Sequence, residues 1–300
     1  MNKPELLAPA GSLEKLKIAV AYGADAVYFG GKVFNLRNFA ANFTIEEIRE
    51  AMEYLHARNK KGYLTLNIYP RNYDIPEIKK YLEELKDIDL DAVIVSNLAT
   101  LKLVQEYLPN VDAHISTQAN AADYISVNEW AERGATRVIL ARELTLAEIK
   151  EIVEEGNIEI EIFVHGAMCM AYSGRCMMSK YMANRDANQG TCAQPCRWKY
   201  YVREETRKDE LFEVQEDESG TYIFNSKDLM LFDYIKEIIE AGVVSLKIEG
   251  RNKGVLYLAT VVNSYRRLID AIYGEKEIKP EWRQALFDAS NRGYHEGFIN

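Results

Sequence analysis

The cysteines of this 300-residue chain all fall in one short stretch, MCMAYSGRCMMSKYMANRDANQGTCAQPC, which begins at Met168. They are Cys169, Cys176, Cys192 and Cys196, with the spacing C-x6-C-x15-C-x3-C. Clustered thiols in a long chain favour metal binding over disulfides. Four thiolates suit a 4Fe–4S cluster, and zinc is the alternative because the last two cysteines resemble a zinc knuckle. Buried, inert thiols are the third interpretation.

The same stretch is basic. Between Cys169 and Arg203 there are six basic residues and one acidic residue, Asp186, which gives +5, whereas the net charge of the whole chain is −9. The overall charge argues against a generally basic nucleic-acid binder. The local excess indicates either an anionic partner for this segment or an ordinary solvated loop surface.

The elements that must position these residues alternate between short β-branched strands and amphipathic helices. In the helix FTIEEIREAMEYLHARNKK, Thr44 with Glu47 three residues later predicts a capping box. Strand followed by helix, eight times, implies parallel strands in a closed (β/α)8 TIM-type barrel, with a doubly wound open sheet as the alternative. The predicted strands are Glu5–Ala10, Ala24–Gly30, Gly62–Ile68, Asp91–Ser96, Asp112–Gln118, Arg137–Arg142, Ile158–Gly166 and Val244–Gly250.

The alternation breaks once, after the seventh strand. The roughly sixty residues that follow Ala167 exceed any ordinary loop of a barrel. Their second half, KYYVREETRKDELFEVQEDESGTYIF, predicts a hairpin with an acidic turn around Glu216–Gly220. We therefore predict a single barrel-like domain over residues 1–300 with a cysteine-rich and hairpin insertion over 167–225. The insertion leaves from the carboxyl end of a strand, where barrel enzymes carry their chemistry.

Polar residues end several predicted strands at this same face. His165 lies just before the cysteine segment. Three roles are open for it: a proton carrier, a hydrogen-bond donor that supports the cysteine site, or a purely structural histidine. Lys247 and Glu249 point the same way along the last strand and predict an ion pair, either in the site or closing the barrel. The others are Asn67, Ser96, Ser116, Thr117, Gln118, Arg142, Glu143 and Arg251.

The sequence contains neither an apolar segment long enough to span a membrane nor the common peptidase motifs. It contains no run of eighteen apolar residues, and MNKPELLAPAGS lacks the apolar stretch of a signal peptide. We therefore expect a cytoplasmic protein without a membrane partner. The peptidase patterns G-x-S-x-G and H-E-x-x-H are also missing.

Long blocks of the chain resemble one known family. EIFVHGAMCMAYSGRCMMSKYMANRDANQGTCAQPCRWKY resembles the signature of the collagenase-like peptidase family, whose catalytic type is unassigned. ELLAPAGSLEKLKIAVAYGADAVYFGG resembles its first block, and HISTQAN, ILARELTLAEI and SKDLMLFDYIKEIIEAGVVSLKIEGRNK resemble later ones. The resemblance extends from Glu5 to about Asp270.

The resemblance implies a function that differs from the family name. Its bacterial members are similar to iron–sulfur proteins that support oxygen-independent hydroxylation of tRNA, of ribosomal RNA or of a ubiquinone precursor. The ending CRWKY is most similar to the branch that hydroxylates the tRNA wobble uridine, with prephenate as the oxygen source. The implied cluster ligands are Cys169, Cys176, Cys192 and Cys196.

The leading hypothesis is therefore an iron–sulfur-dependent tRNA hydroxylase that forms 5-hydroxyuridine. The residues expected in its substrate pocket are His165, Lys247 and Glu249. The residues expected to contact tRNA phosphates are Arg175, Lys180, Arg185 and Arg197. The alternatives are a collagenase-like peptidase, and a non-catalytic partner of a longer paralogue of the same family.

Overall fold

The computed structural model of the protein describes residues 3–36, 42–169, 171–198, 201–202, 212–213 and 227–300. Its centre is a cylinder of parallel strands. These strands are β1 (Glu5–Ala10), β2 (Ala26–Gly30), β3 (Lys61–Leu66), β4 (Ala92–Val95), β5 (Asp112–Ile115), β6 (Arg137–Ile139), β7 (Glu159–Ala167) and β11 (Ser245–Ile248). All eight predicted strands are present, although the predicted carboxyl ends of β5 and β6 extend three residues too far.

Closure of the sheet distinguishes the two predicted architectures. Strands β1 to β7 pair in chain order, and β11 pairs with both β1 and β7. Ser245 on β11 therefore lies opposite Glu5 on one side and opposite Glu161 on the other. Because an open sheet would leave two free edges, this pairing confirms the (β/α)8 barrel and excludes the doubly wound sheet.

Helices cover the outside of the cylinder, and a further short helix lies in the cysteine segment. The capping box predicted at Thr44 is present, since its Oγ accepts from the Glu47 N–H at 3.1 Å and its own N–H donates to Glu47 Oε2 at 2.8 Å. The helices are α1 (Leu13–Ala21), α2 (Ile45–His56), α3 (Ile75–Glu84), α4 (Leu98–Tyr107), α5 (Tyr124–Glu132), α6 (Leu146–Glu155), α7 (Met178–Ala183), α8 (Ile235–Glu240), α9 (Val255–Tyr273) and α10 (Pro280–Asp288). In the described ranges, no helix has both the length and the apolar character needed to cross a membrane.

Two apolar layers stabilise the barrel. Alternate strand residues such as Leu6 and Val27 pack outward against the helices, because successive side chains of a strand point to opposite faces. The other set fills the lumen and includes Leu7, Tyr28 and Tyr63. The lumen is therefore a packed core, which also encloses a few buried charged side chains and becomes more polar where the strands end.

The segment between β7 and β10 (Asp228–Met230) is inserted at the carboxyl face. Strand β10 pairs antiparallel with the end of β7, and β12 (Tyr294–His295) pairs parallel with β10 on its other side. Within the insertion, β8 (Tyr201–Val202) and β9 (Phe212–Glu213) form an antiparallel pair. Both strands precede residue 216, so this pair is not the hairpin that was predicted with its turn around 216–220. The turn predicted around 216–220 lies outside the described residues.

Candidate active site at the carboxyl end of the barrel

The base of the candidate site is a buried ionic network in the lumen. Lys247 on β11 places its Nζ 2.7 Å from Glu161 Oε1 on β7, and Arg137 lies 3.3 Å from Glu161 Oε2. Arg137 also pairs with Glu5 and with Glu159, at 2.7 Å each. Buried charges are tolerated when they are paired and hydrogen-bonded. The network therefore fixes the Lys247 ammonium at the centre of the barrel.

The partner of Lys247 differs from the one that the sequence suggested. Strand alternation pointed to Glu249, whereas the structure pairs Lys247 with Glu161. The sequence EIEIFVHG holds the missed signal, because Glu161 alternates with Phe163 on the lumen face. Burial lowers the pKa of Lys247, and the neighbouring carboxylate of Glu161 opposes that change by stabilising the ammonium.

Above this network, a cavity of about 80 Å³ opens where the strands end. Its wall includes Arg142, Lys247 and Arg251 as cations and Glu249 as a carboxylate. Hydroxyl and amide groups at the ends of β3 and β5 add to the wall, together with apolar side chains such as Ile94 and Phe163. The cavity has room for several water molecules or a small organic group, and its excess of cations suits an anion.

Arg251 is held rigidly in this wall. Its Nη1 donates to Thr65 Oγ1 at 2.9 Å, and its Nη2 donates to Asn35 Oδ1. Gly30 provides the space, because a Cβ at that position would lie 2.4 Å from Arg251 Nη1. A guanidinium fixed in this way is well placed to bind a carboxylate.

Arg142 and Gln118 face the cavity from neighbouring strand ends. Arg142 Nη1 donates to the Ala167 carbonyl at 2.8 Å, and its guanidinium lies 3.8 Å from the centre of the Phe163 ring. Gln118 is buried, and its Oε1 has no hydrogen-bond partner within the described ranges. Because buried polar atoms are nearly always satisfied, this oxygen is a ready acceptor for an N–H or O–H group of a ligand.

His165 faces the helices rather than the cavity. Its Nδ1 lies 3.3 Å from the Tyr265 hydroxyl and its Nε2 lies 3.5 Å from the Tyr294 hydroxyl. A register shift between β7 and β11 coincides with this change of face. Complete burial lowers the pKa of His165 to about 3, so the ring is neutral near pH 7. The structure thus brings Lys247 and Glu249 to one cavity wall, and places the His165 ring behind it.

Loops of the barrel fix the cysteine segment to the carboxyl face. Glu143, which follows β6, accepts from the N–H and the hydroxyl of Ser173 at 2.5 and 2.7 Å. Arg175 Nε donates to the Gln118 carbonyl at 3.0 Å and to the Tyr69 hydroxyl at 2.8 Å. These bonds place the cysteine segment directly beside the cavity.

The four cysteines lie in this docked segment, and none of them is fully buried. Cys169 is exposed and the other three are half-buried. Cys176 Sγ accepts from the Met178 N–H, and Cys192 Sγ accepts from the Gln194 N–H, at 3.3 Å each. Hydrogen bonds to sulfur tune the ligands of metal and cluster sites. In the part of the chain that the structure describes, no three His, Cys, Asp or Glu side chains form a ready metal-binding group.

The basic residues expected to contact RNA occupy different environments. Lys180 and Arg175 are exposed. Arg185 donates to the carbonyls of Thr191 and Cys192 at 2.9 and 3.4 Å, so it stabilises the loop that carries Cys192. The side chain of residue 197 lies outside the described residues.

The chain belongs to peptidase family U32, because residues 11–300 match the model of that family. This match confirms the resemblance found in the cysteine block. The solved structure of the U32 peptidase Mk0906 superposes with a TM-score of 0.52 at 14% identity, and the match covers 82% of this chain and 93% of that one. At this identity the likeness concerns the fold alone.

Relatives with much higher identity carry a different name. The chain is 45% identical to the tRNA hydroxylation protein P1 of Bacillus subtilis (strain 168), over 99% of this chain and 71% of the relative. It is 40% identical to the tRNA hydroxylation protein P of Escherichia coli (strain K12), over 100% of this chain and 75% of the relative.

Proposed function

We propose that this U32 family member is an enzyme of tRNA hydroxylation, which acts in the cytoplasm and converts the wobble uridine into 5-hydroxyuridine without molecular oxygen. The observation that carries the proposal is the 45% identity, over 99% of the chain, to a protein named for tRNA hydroxylation. A cationic cavity at the catalytic face of the barrel, beside a segment with exposed basic side chains, supports it.

In this proposal the cavity binds a small anionic oxygen donor. Prephenate, which the family resemblance implies, is a dicarboxylate with a hydroxyl group. Arg142 and Arg251 offer guanidinium groups for its carboxylates, and Lys247 adds a third positive charge. The unsatisfied Gln118 Oε1 offers an acceptor for its hydroxyl.

The chain's predicted catalytic residues then divide into two roles. Lys247, whose ammonium Glu161 stabilises, binds and orients the anion, and Glu249 lines the same wall. His165 acts as a positioning residue, because its carbonyl accepts the Glu249 N–H at 2.8 Å while its neutral ring is enclosed by tyrosines.

We also propose that Cys169, Cys176, Cys192 and Cys196 hold a 4Fe–4S cluster, with zinc as the alternative. The chemistry of the donors fits, because four thiols lie in one docked segment and two of the sulfurs accept main-chain N–H groups. Among the described residues the thiols are not gathered into a ready metal-binding group, so binding would draw them together. A bound cluster would supply one-electron redox chemistry. Arg185 holds the loop of Cys192, and Arg175 and Glu143 hold the whole segment against the barrel.

Nucleoside mass spectrometry of tRNA from a deletion strain tests the proposal. We expect hydroxylated uridine to disappear on deletion and to return with the wild-type gene and with Lys150→Gln, an exposed control. Lys247→Met should fail to restore it. Unchanged tRNA in a deletion strain that has no paralogue would refute the proposal, whereas restoration only alongside a longer paralogue would favour the non-catalytic partner.

The family name favours a peptidase as the second candidate. That candidate predicts divalent-metal-dependent cleavage of gelatin by the pure protein, and little change when all four cysteines are replaced by alanine. We expect no cleavage by the wild-type protein. If the pure protein cleaves gelatin and still does so after all four cysteines are replaced, the peptidase would become the better supported function.

A further inference from the structure

A second concave surface lies outside the lumen, between the cysteine segment and the loop after β3. We call it the rim groove. Its volume of about 580 Å³ falls in the range of small-molecule sites and suits a nucleotide. It is lined by Tyr69–Arg71, Arg175–Met177, Lys180, Asp186 and Asn188–Gln189.

Hydrogen bonds between its two walls, and one within the cysteine segment, preform the rim groove. The Tyr69 N–H donates to the Asn188 carbonyl at 3.0 Å. Arg71 Nη2 lies 3.1 Å from Asp186 Oδ2, and Asn188 Nδ2 donates to the Cys176 carbonyl at 3.3 Å. A site that is already in its binding shape loses less conformational entropy when it takes a ligand.

The rim groove is positively charged on a negatively charged protein. Arg71, Arg175 and Lys180 line it against one carboxylate, Asp186, while the whole chain carries −9. Lys180 Nζ donates to Asn184 Oδ1 at 2.7 Å, which orients the ammonium. An ammonium has three donors, so it can also bind a phosphate oxygen. This charge pattern fits a polyanionic backbone.

Large side chains stand exposed beside these cations. Tyr181 is 90% exposed, Met177 is 71% exposed and Tyr73 is 66% exposed. The Tyr181 N–H donates to the Met177 carbonyl at 3.0 Å, so Tyr181 lies one helical turn beyond Met177, which lines the groove. Tyr73 lies two residues after Arg71, and Arg71 lines the opposite wall. Exposed rings next to cations are the pattern by which proteins stack unpaired bases.

We infer that the rim groove binds an unpaired stretch of RNA, with Tyr181 and Tyr73 stacking on bases and with Lys180 and Arg71 contacting phosphates. This inference rests on the proposed function, whose RNA substrate it locates. Single strands can turn their bases toward protein rings, whereas a duplex keeps its bases stacked inside. Because Cys176 lines the groove, the bound strand would lie beside the cysteine segment.

The test compares two fluorescein-labelled RNA probes by anisotropy: a hairpin with an unpaired loop, and a blunt duplex of the same stem. Tyr181→Ala and Tyr73→Ala are the test variants. Tyr22→Ala is the matched control, because Tyr22 is 41% exposed and follows α1 at the opposite end of the barrel. Lys180→Gln tests the phosphate contact, with Lys150→Gln as its control.

We expect the wild-type protein to prefer the hairpin, and Tyr181→Ala to weaken hairpin binding by roughly tenfold while leaving duplex binding unchanged. Lys180→Gln should weaken both complexes and reduce the slope of log affinity against log salt by about 1. Equal binding of hairpin and duplex by the wild type, or unchanged hairpin binding in both tyrosine variants, overturns the inference.

The nucleoside assay separates failure of this inference from failure of the proposed function. Suppose that the wild-type gene restores hydroxylated uridine, and that both tyrosine variants bind the hairpin and restore the modification as well as the wild type does. The rim groove is then not the RNA site, and the proposed function stands. If the wild-type gene restores nothing and the protein binds neither probe, both proposals fall.

Discussion

Replacing Glu161 by glutamine should destabilise the barrel, because the ammonium of Lys247 would stay buried without its carboxylate partner. Lys247 Nζ lies 2.7 Å from Glu161 Oε1, and the two side chains are 4% and 0% exposed. Arg137 keeps Glu5 and Glu159 as partners, so the uncompensated charge is that of Lys247. Breaking a buried pair from one side costs about 3–5 kcal/mol. Because the glutamine oxygen can still accept from the ammonium, we expect a cost of roughly 2–4 kcal/mol.

Urea unfolding of a double-mutant cycle measures this cost. Lys247→Met removes the ammonium, so Glu161→Gln should cost roughly 1–3 kcal/mol less in that background than in the wild type. The control is Glu154→Gln, which removes the partner of Lys150 at 3.8 Å on an exposed surface. Exposed pairs contribute about 0–1 kcal/mol, so the control should change the free energy of unfolding little.

The pH dependence of the Glu161→Gln variant gives an independent check. Burial lowers the pKa of Lys247 in the folded state, and the variant loses the carboxylate that opposed this effect. Between that lowered pKa and the unfolded value of about 10.4, the unfolded chain binds more protons, so stability rises with pH. The difference in free energy of unfolding between the wild type and the variant should therefore become smaller as the pH is raised toward the pKa of lysine in the unfolded chain.

Either of two results would refute the reasoning. One is a change below about 0.5 kcal/mol in Glu161→Gln, which would mean that the pair contributes no more than a surface contact. The other is an equal cost in the wild-type and Lys247→Met backgrounds, which would mean that the loss does not pass through the ammonium.

Two further predictions follow from the buried histidine and from the cysteines. His165 has a pKa of about 3 when folded and about 6.5 when unfolded, so stability should fall as the pH drops through that window. His165→Gln should flatten this loss in urea unfolding, and His56→Gln, on a partly exposed surface, should not. Anaerobically purified protein should contain about four iron and four sulfide per chain. The Cys176→Ala variant should contain less iron and less sulfide than the wild type. A wild-type protein that contains one zinc ion per chain and no sulfide would instead favour a structural zinc knuckle.

The barrel could be predicted from sequence because its signal is local. Each strand–helix unit carries its own alternation, caps and turn residues, so the count of units gave the architecture. The residues at which the strands end were harder to predict. Ser116 and Gln118 look like a continuation of β5, but Ser116 Oγ accepts from the Gln118 N–H at 3.3 Å and starts a short turn. Side-chain bonds of this kind compete with the strand ladder.

The arrangement of the site depends on contacts between distant parts of the chain. Lys247 and Glu161 are 86 residues apart in sequence, and only closure of the barrel makes β7 and β11 neighbours. Alternation within one strand therefore suggested Glu249 and missed Glu161. His165 shows the same limit, because a register shift between two strands leaves no mark in a single sequence.

Gln118 connects the cavity with the rim groove. Its side chain lines the cavity, and its main-chain carbonyl accepts both from Arg175 Nε at 3.0 Å and from the Tyr69 hydroxyl. Arg175 and Tyr69 in turn line the rim groove. The cavity is too small for an RNA strand, and the groove is too open to enclose a small anion. Under the proposed function, an RNA strand and a small anion would therefore occupy separate sites that share a wall, and the Gln118 carbonyl would link the two.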